Sequence, residues 1–183
     1  ASRLSGANTA ALNAASTRTS LSDSGTIVAF ETDSAQLDAG DTNGASDIAV
    51  RRLSIEPVVP NVTTIASRAS TLAGAVGDGE STHPALAGDG TSVAYISAST
   101  NLIGADTNGA RDVFRRTFGS GNPTIRVSVS DGEAQLTNAT VSNLPSVSDD
   151  GDLVGFTNFG TGIAPDDGAV TNETVYLRSI TAG

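Results

Sequence analysis

Residues 87–117 read AGDGTSVAYISASTNLIGADTNGARDVFRRT, and the stretch recurs twice in altered spelling. Residues 22–52 read SDSGTIVAFETDSAQLDAGDTNGASDIAVRR, and residues 148–178 read SDDGDLVGFTNFGTGIAPDDGAVTNETVYLR. Gly25, Gly90 and Gly151 correspond, at offsets of 65 and 61 residues, and the same alignment puts Phe30, Tyr95 and Phe156 at one repeat position. Self-similarity at such a period marks a repeat architecture, in which each copy buries its apolar face against the next. Working outward, Arg3-Leu4-Ser5, Arg68-Ala69-Ser70 and Arg126-Val127-Ser128 recur around the copies, so three repeats account for the 183 residues.

Within the second copy the apolar segments are short. Residues 92–97 (SVAYIS) follow the Asp89-Gly90 turn, a strong hairpin signal, and residues 84–87 supply a short strand before it. Residues 112–118 (DVFRRTF) form a third strand, and residues 124–130 (TIRVSVS) alternate as a fourth. No segment of a dozen residues has helical periodicity with caps; residues 7–16 come nearest and align with connecting loops. The expected fold is all-β, with three four-stranded antiparallel propeller blades: half of a six-bladed β-propeller or an open blade array. The blades are placed at about residues 17–70, 82–130 and 143–183, and an N-terminal strand at residues 1–5 is expected to complete a last blade. The expected core comprises Ile27, Ala29, Val93, Tyr95, Val154 and Phe156, with Ile48, Val113 and Val175 from the third strands.

The pattern Ser-x-Asp-Gly-x-x-Val-Ala-Phe, then Asn-Leu, Gly-Asp-Thr-Asn-Gly-x-x-Asp and an Arg-ended strand resembles the TolB-type, WD-like propeller repeats of bacterial secreted and envelope proteins. The second copy carries it best, through Asp89-Gly90, Val93-Ala94-Tyr95, Asn101-Leu102 and Asp106-Thr107-Asn108-Gly109 to Asp112. The third departs most, with Gly155 in place of Ala and Pro165-Asp166-Asp167-Gly168 in place of the loop motif. The resemblance implies a propeller in the secreted or envelope setting. It implies no activity, because propellers host many functions.

Composition excludes several chemistries. All ten basic residues are Arg, against twenty acidic ones, giving a net charge of −10. Without Lys there is no P-loop and no Schiff-base lysine, and the acidic balance excludes a basic nucleic-acid footprint. Without Cys there are no disulfides, thiolate metal sites or cysteine nucleophiles. No run approaches the roughly 18 apolar residues of a membrane span. The start at Ala1, without Met or leader, reads as a processed chain or an excised piece.

The most informative polar pattern is residues 41–47 (DTNGASD) and its copy 106–112 (DTNGARD). Side-chain oxygens of Asp41, Asn43 and Asp47, with the backbone carbonyl of Ala45, can wrap a hard cation such as Ca²⁺; Asp106, Asn108, Asp112 and Ala110 repeat the set. Two equivalent calcium ions are therefore expected. The competing reading is a pair of metal-free Asx-turns. Asp166, Asp167 and Asn172 form a weaker third candidate.

Arg51, Arg52, Arg115, Arg116 and Arg178 share the third strands, where they would pair with Asp of adjacent blades and discourage edge aggregation; an anion-binding ring is the alternative. The aromatic residues mostly share repeat positions, which suits blade core better than sugar stacking. His83 is the only histidine and reads as a loop residue, and no Gly-x-Ser-x-Gly elbow occurs, so no catalytic residue is assigned. Asn61, Asn138 and Asn172 begin short glycosylation-type tripeptides.

Together these features point to a non-enzymatic, calcium-stabilised β-propeller repeat protein at an extracellular, cell-surface or periplasmic location. Its expected role is structural or protein-interacting, as a homo-oligomer assembled by head-to-tail strand exchange into a dimeric ring or a filament. The alternatives are a propeller piece of a larger secreted hydrolase and a periplasmic, TolB-like partner-binding module.

Overall fold

Each copy closes its first hairpin with the same turn. The N–H groups of Gly25, Gly90 and Gly151 each donate to the carbonyl three residues back at 2.9 Å, with φ of 69°, 72° and 78°. Side chains other than Gly adopt that left-handed geometry only under strain. At Gly90 space is short as well: an added Cβ would stand 2.4 Å from Ile27 of the preceding blade.

The computed structural model describes residues 2–6, 10–54, 60–104, 106–136, 140–141, 144–159, 162–163 and 172–180. The first sheet is antiparallel in the order β1 (Ser16–Leu21), β2 (Ile27–Thr32), β3 (Asp47–Arg52) and β4 (Val62–Ile65). The second repeats it with β5 (Ser81–Leu86), β6 (Ser92–Ser97), β7 (Asp112–Thr117) and β8 (Thr124–Arg126). In the third, β9 (Thr140–Val141) and β10 (Ser146–Val147) both pair with the same strand, β11 (Leu153–Phe159), whose other neighbour is β12 (Glu173–Ser179). β9 and β10 are thus one interrupted first strand. The same strand carries a bulge in the other blades, at Arg18 (φ 43°) and His83 (φ 57°). No fourth strand lies beside β12 among the described residues.

The sheets stack face to face. Ala29, Ile48 and Val50 of the first blade meet Val93, Tyr95 and Phe114 of the second. Ala94, Ile96 and Val113 on the second blade's other face meet Val154, Phe156 and Tyr176 of the third. β6 is buried throughout, because neighbours cover both its faces. β12 alternates instead, and Val175 is 76% exposed and Leu177 70% exposed. The expected core place of Val175 is therefore corrected: it holds the register position of Ile48 and Val113, but among the described residues no blade covers its face. Tyr176 points inward, 5.8 Å from the ring of Phe156, and Val175 faces the side that no blade covers.

Turns also join across blades, with the N–H of Asp23 donating to Gly88 and that of Asp89 to Asp149, both at 2.9 Å. Between blades the chain makes small loops pinned by single bridges, Arg3 to Ala11, Arg68 to Val76 and Val129 to Gln135. These bridges align Arg3 with Arg68 and Val129. The expected match of Arg3 with Arg126 is three residues out of register, since Arg126 lies inside β8.

Residues 2–5 form no strand beyond the Arg3 bridge; they follow the position of a fourth strand and lie against the first blade of their own chain. Arg51 holds them, donating to the carbonyls of Arg3 (3.1 Å), Leu4 (2.8 Å) and Gly6 (3.0 Å). Arg116 does the same one blade on, at Arg68 (3.1 Å), Ala69 (2.9 Å) and Thr71 (2.8 Å). Both guanidinium groups are buried and bind main-chain carbonyls, so the expected exposed pairing with Asp does not describe them. Arg115 lies 3.9 Å from Asp152 of the next blade, while Arg52 sits over the Phe118 ring at 4.9 Å.

Candidate metal centre

The two Asp-Thr-Asn-Gly loops enter β3 and β7, and both use their Asn in the same way. Asn43 Oδ1 accepts the N–H of Ala45 at 2.6 Å, and Asn108 Oδ1 accepts that of Ala110 at 3.0 Å, closing an Asx-turn in each loop. Gly44 (φ 66°) and Gly109 (φ 62°) complete the bend. The final Asp of each loop is fully buried at the start of the third strand. Asp47 Oδ1 accepts from Ser67 Oγ at 2.5 Å, and Asp112 Oδ1 accepts from Ser128 Oγ at 2.5 Å. Each serine also accepts the N–H of the residue after that Asp, at 3.0 Å. Fourth-strand exit, loop and third strand are thereby fastened together.

Of the expected ligands, the structure brings Asp41 beside Asp47 and Asp106 beside Asp112. Asn43 and Asn108 hold the backbone, and no group of three or more Asp, Glu, His or Cys side chains able to hold a metal occurs among the described residues. The loops then diverge. Around the second, Arg126 reaches Asp106 Oδ1 at 3.3 Å and Asp112 Oδ2 at 3.5 Å. Gln135 Nε2 donates to Asp106 Oδ1 at 2.9 Å, and Asn108 Nδ2 donates to Asp112 Oδ2 at 3.1 Å. Asn43 Nδ2 donates to the Gly77 carbonyl at 2.6 Å just as Asn108 Nδ2 does to that of Leu136 at 3.0 Å, so the loops differ around their carboxylates. Asp41 Oδ1 and Asp47 Oδ2 are buried without a hydrogen-bond partner. The two expected sites are chemically unequal. Asp166 and Asp167 lie outside the described residues.

Sequence reading missed Arg126, Gln135, Ser67 and Ser128. The serines could have been found, because Ala66-Ser67-Arg68 repeats Ala1-Ser2-Arg3. Gln135 stands 29 residues beyond the Asp it binds and has no equivalent in the first copy's spelling.

Burial pushes the Asp47 carboxyl up to about 7, with the neighbouring Asp41 charge reinforcing it and the Ser67 hydrogen bond opposing it. At Asp112 burial also pushes upward, while Ser128 and Arg126 pull back. Because the folded value at Asp47 lies above the unfolded one, its stabilising contribution is complete below about pH 4 and is lost as pH rises through about 7. In chelator, the stability gap between the wild type and Asp47→Asn should therefore widen over that window, by up to about 1.4 kcal/mol per pH unit, with the variant the more stable at pH 8. Urea unfolding at several pH values checks this; parallel profiles would show that Asp47 does not titrate there.

No protein-family model matches the chain, and no curated protein matches it. Among solved structures it is similar to the β-propeller domain of the Trilobed protease from Pyrococcus furiosus, at 10% identity and a TM-score of 0.48, over 91% of this chain and 39% of that one. It is also similar to an acylaminoacyl peptidase (9% identity, TM-score 0.45, 91% and 23% covered) and to TolB from Acinetobacter baumannii (13%, 0.32, 91% and 41%). The chain spans less than half the length of each, and the likeness is one of fold. No helix among the described residues is long and apolar enough to cross a membrane.

Proposed function

We propose that the chain is a non-enzymatic β-propeller repeat module of the secreted, cell-surface or envelope kind, which works by engaging a further blade through its third sheet. One observation carries the reading. Val175 and Leu177 stand open at the repeat positions where Ile48, Val50 and Val113 are buried against the following blade. Leu153 and Phe159 extend the same face, and among the described residues no strand pairs with the outer side of β12, where strand addition would take place. The resemblance to TolB-type repeats supports the envelope setting, as does a Lys-free chain of net charge −10, kept soluble by self-repulsion. His83 gives catalysis no footing. Glu31 accepts its backbone N–H at 2.6 Å rather than orienting the ring, and burial holds the imidazole below its usual pKa.

For the isolated chain the available partner is a second copy. Light scattering after size exclusion should give a mass that rises with concentration above 18.2 kDa. Val175→Glu combined with Leu177→Glu should return the monomer mass with an unchanged circular dichroism spectrum. A wild-type chain that stays monomeric at high concentration would overturn the proposal.

A further inference from the structure

The two loops differ through a residue on another strand. In register, Ala49 pairs with Ile65 where Phe114 pairs with Arg126, so Ile65 of the first blade occupies the place of Arg126 in the second. That single exchange removes from the first loop the cation that the second keeps between its carboxylates. Asp41 and Asp47, 8% and 0% exposed, keep one buried oxygen each without a donor. Arg68, whose charge acts on Asp47, has its guanidinium committed to Asp38 at 2.9 Å and to the Gly74 carbonyl at 2.9 Å.

We infer that the first blade binds one divalent cation between Asp41 and Asp47, and that in the second blade Arg126 permanently occupies the corresponding place. Two buried carboxylate oxygens without donors, one on each of two adjacent carboxylates, are costly unless a cation accompanies them. Hard divalent ions take oxygen ligands and fill their remaining positions with water or carbonyls. Two charged ligands and a surface-loop setting place the affinity in the range of extracellular modules, about 10⁻⁴ to 10⁻³ M for Ca²⁺. The inference concerns the first blade alone and holds whatever the third blade engages.

Calcium titration of the chelator-treated chain by calorimetry should give one site, not two. Calcium at about 10 mM should raise Tm by about 5 °C. Asp41→Asn should abolish the binding heat, and Ile65→Arg should abolish it while making the calcium-free protein behave like the calcium-loaded wild type. Arg126→Ile should create a second site; should that variant be unstable alone, its melting with and without calcium still reads the site, as a calcium response larger than that of the wild type. Two sites in the wild type, no heat at all, or an unchanged response in Asp41→Asn would each overturn the inference.

Discussion

Replacing Arg116 by Leu is expected to destabilise the protein by about 3–5 kcal/mol, although no carboxylate loses a partner. Its side chain is 2% exposed and runs through the interior to the loop between the first two blades. Nη1 donates to the carbonyls of Arg68 and Ala69 and to Thr124 Oγ1, while Nη2 donates to Thr71. Leucine would fill part of the volume and remove the donor from the buried Thr124 Oγ1 and from the part-buried carbonyls of Ala69 and Thr71, a loss of about 1–3 kcal/mol for each fully buried group and less where water can reach. Thr71 would be hit hardest, because it holds φ of 79°, a strained conformation for a β-branched residue that the Arg116 bond helps to fix. Lysine should rescue poorly, since a point charge cannot fork to three carbonyls. Equilibrium urea unfolding measures the loss. A cost below about 1 kcal/mol would mean that the loop is held by other contacts.

Tyr95→Ala should cost about as much, 3–5 kcal/mol, through a different mechanism. The ring is fully buried, 6.1 Å from Phe114, in the cluster that joins the first two blades. Alanine would leave a void bounded by two sheets that hydrogen bonds hold at fixed spacing, so collapse around it is limited. Tyr95→Phe should stay within about 1 kcal/mol, because Phe30 and Phe156 occupy the same register. Val175→Ala serves as the contrast and, at concentrations low enough to keep the chain monomeric, should lie within about 0.5 kcal/mol of wild type, being a surface change there. Thermal and urea unfolding of the three variants test the ordering. A Val175→Ala loss matching that of Tyr95→Ala would restore the expected core position.

The sequence shows the blades plainly where information is local. Residues 92–97 were legible as a strand from alternation and the preceding Asp-Gly turn, and the alignment of Phe30, Tyr95 and Phe156 predicted the shared core position. What escaped it depends on distant partners. Arg51 and Arg116 read as exposed strand arginines because the carbonyls they bind lie 45 to 48 residues upstream. Val175 reads as core because its equivalents are core, and only the uncovered third face distinguishes it. The Arg-x-Ser recurrences at residues 3, 68 and 126 suggested a false register, since two belong to the bridged loops and one to β8. The Asp-Thr-Asn-Gly loops are nearly identical in spelling, yet their chemistry differs through residues 65 and 126, each beyond the next turn.

The direction in which the arginines reach also bears on how the chain is made. Arg51 and Arg116 each sit on a third strand and grip a loop that precedes their own blade, never one that follows. A ribosome delivers the loop first and the gripping strand later, so each emerging blade latches the chain behind it, like a ratchet pawl dropping onto a tooth that has already passed. Arg178 reaches backward in the same way but meets the side chain of Glu133, and among the described residues no fourth strand beside it supplies the hydroxyl that Thr63 and Thr124 provide. The final latch in this chain is half set.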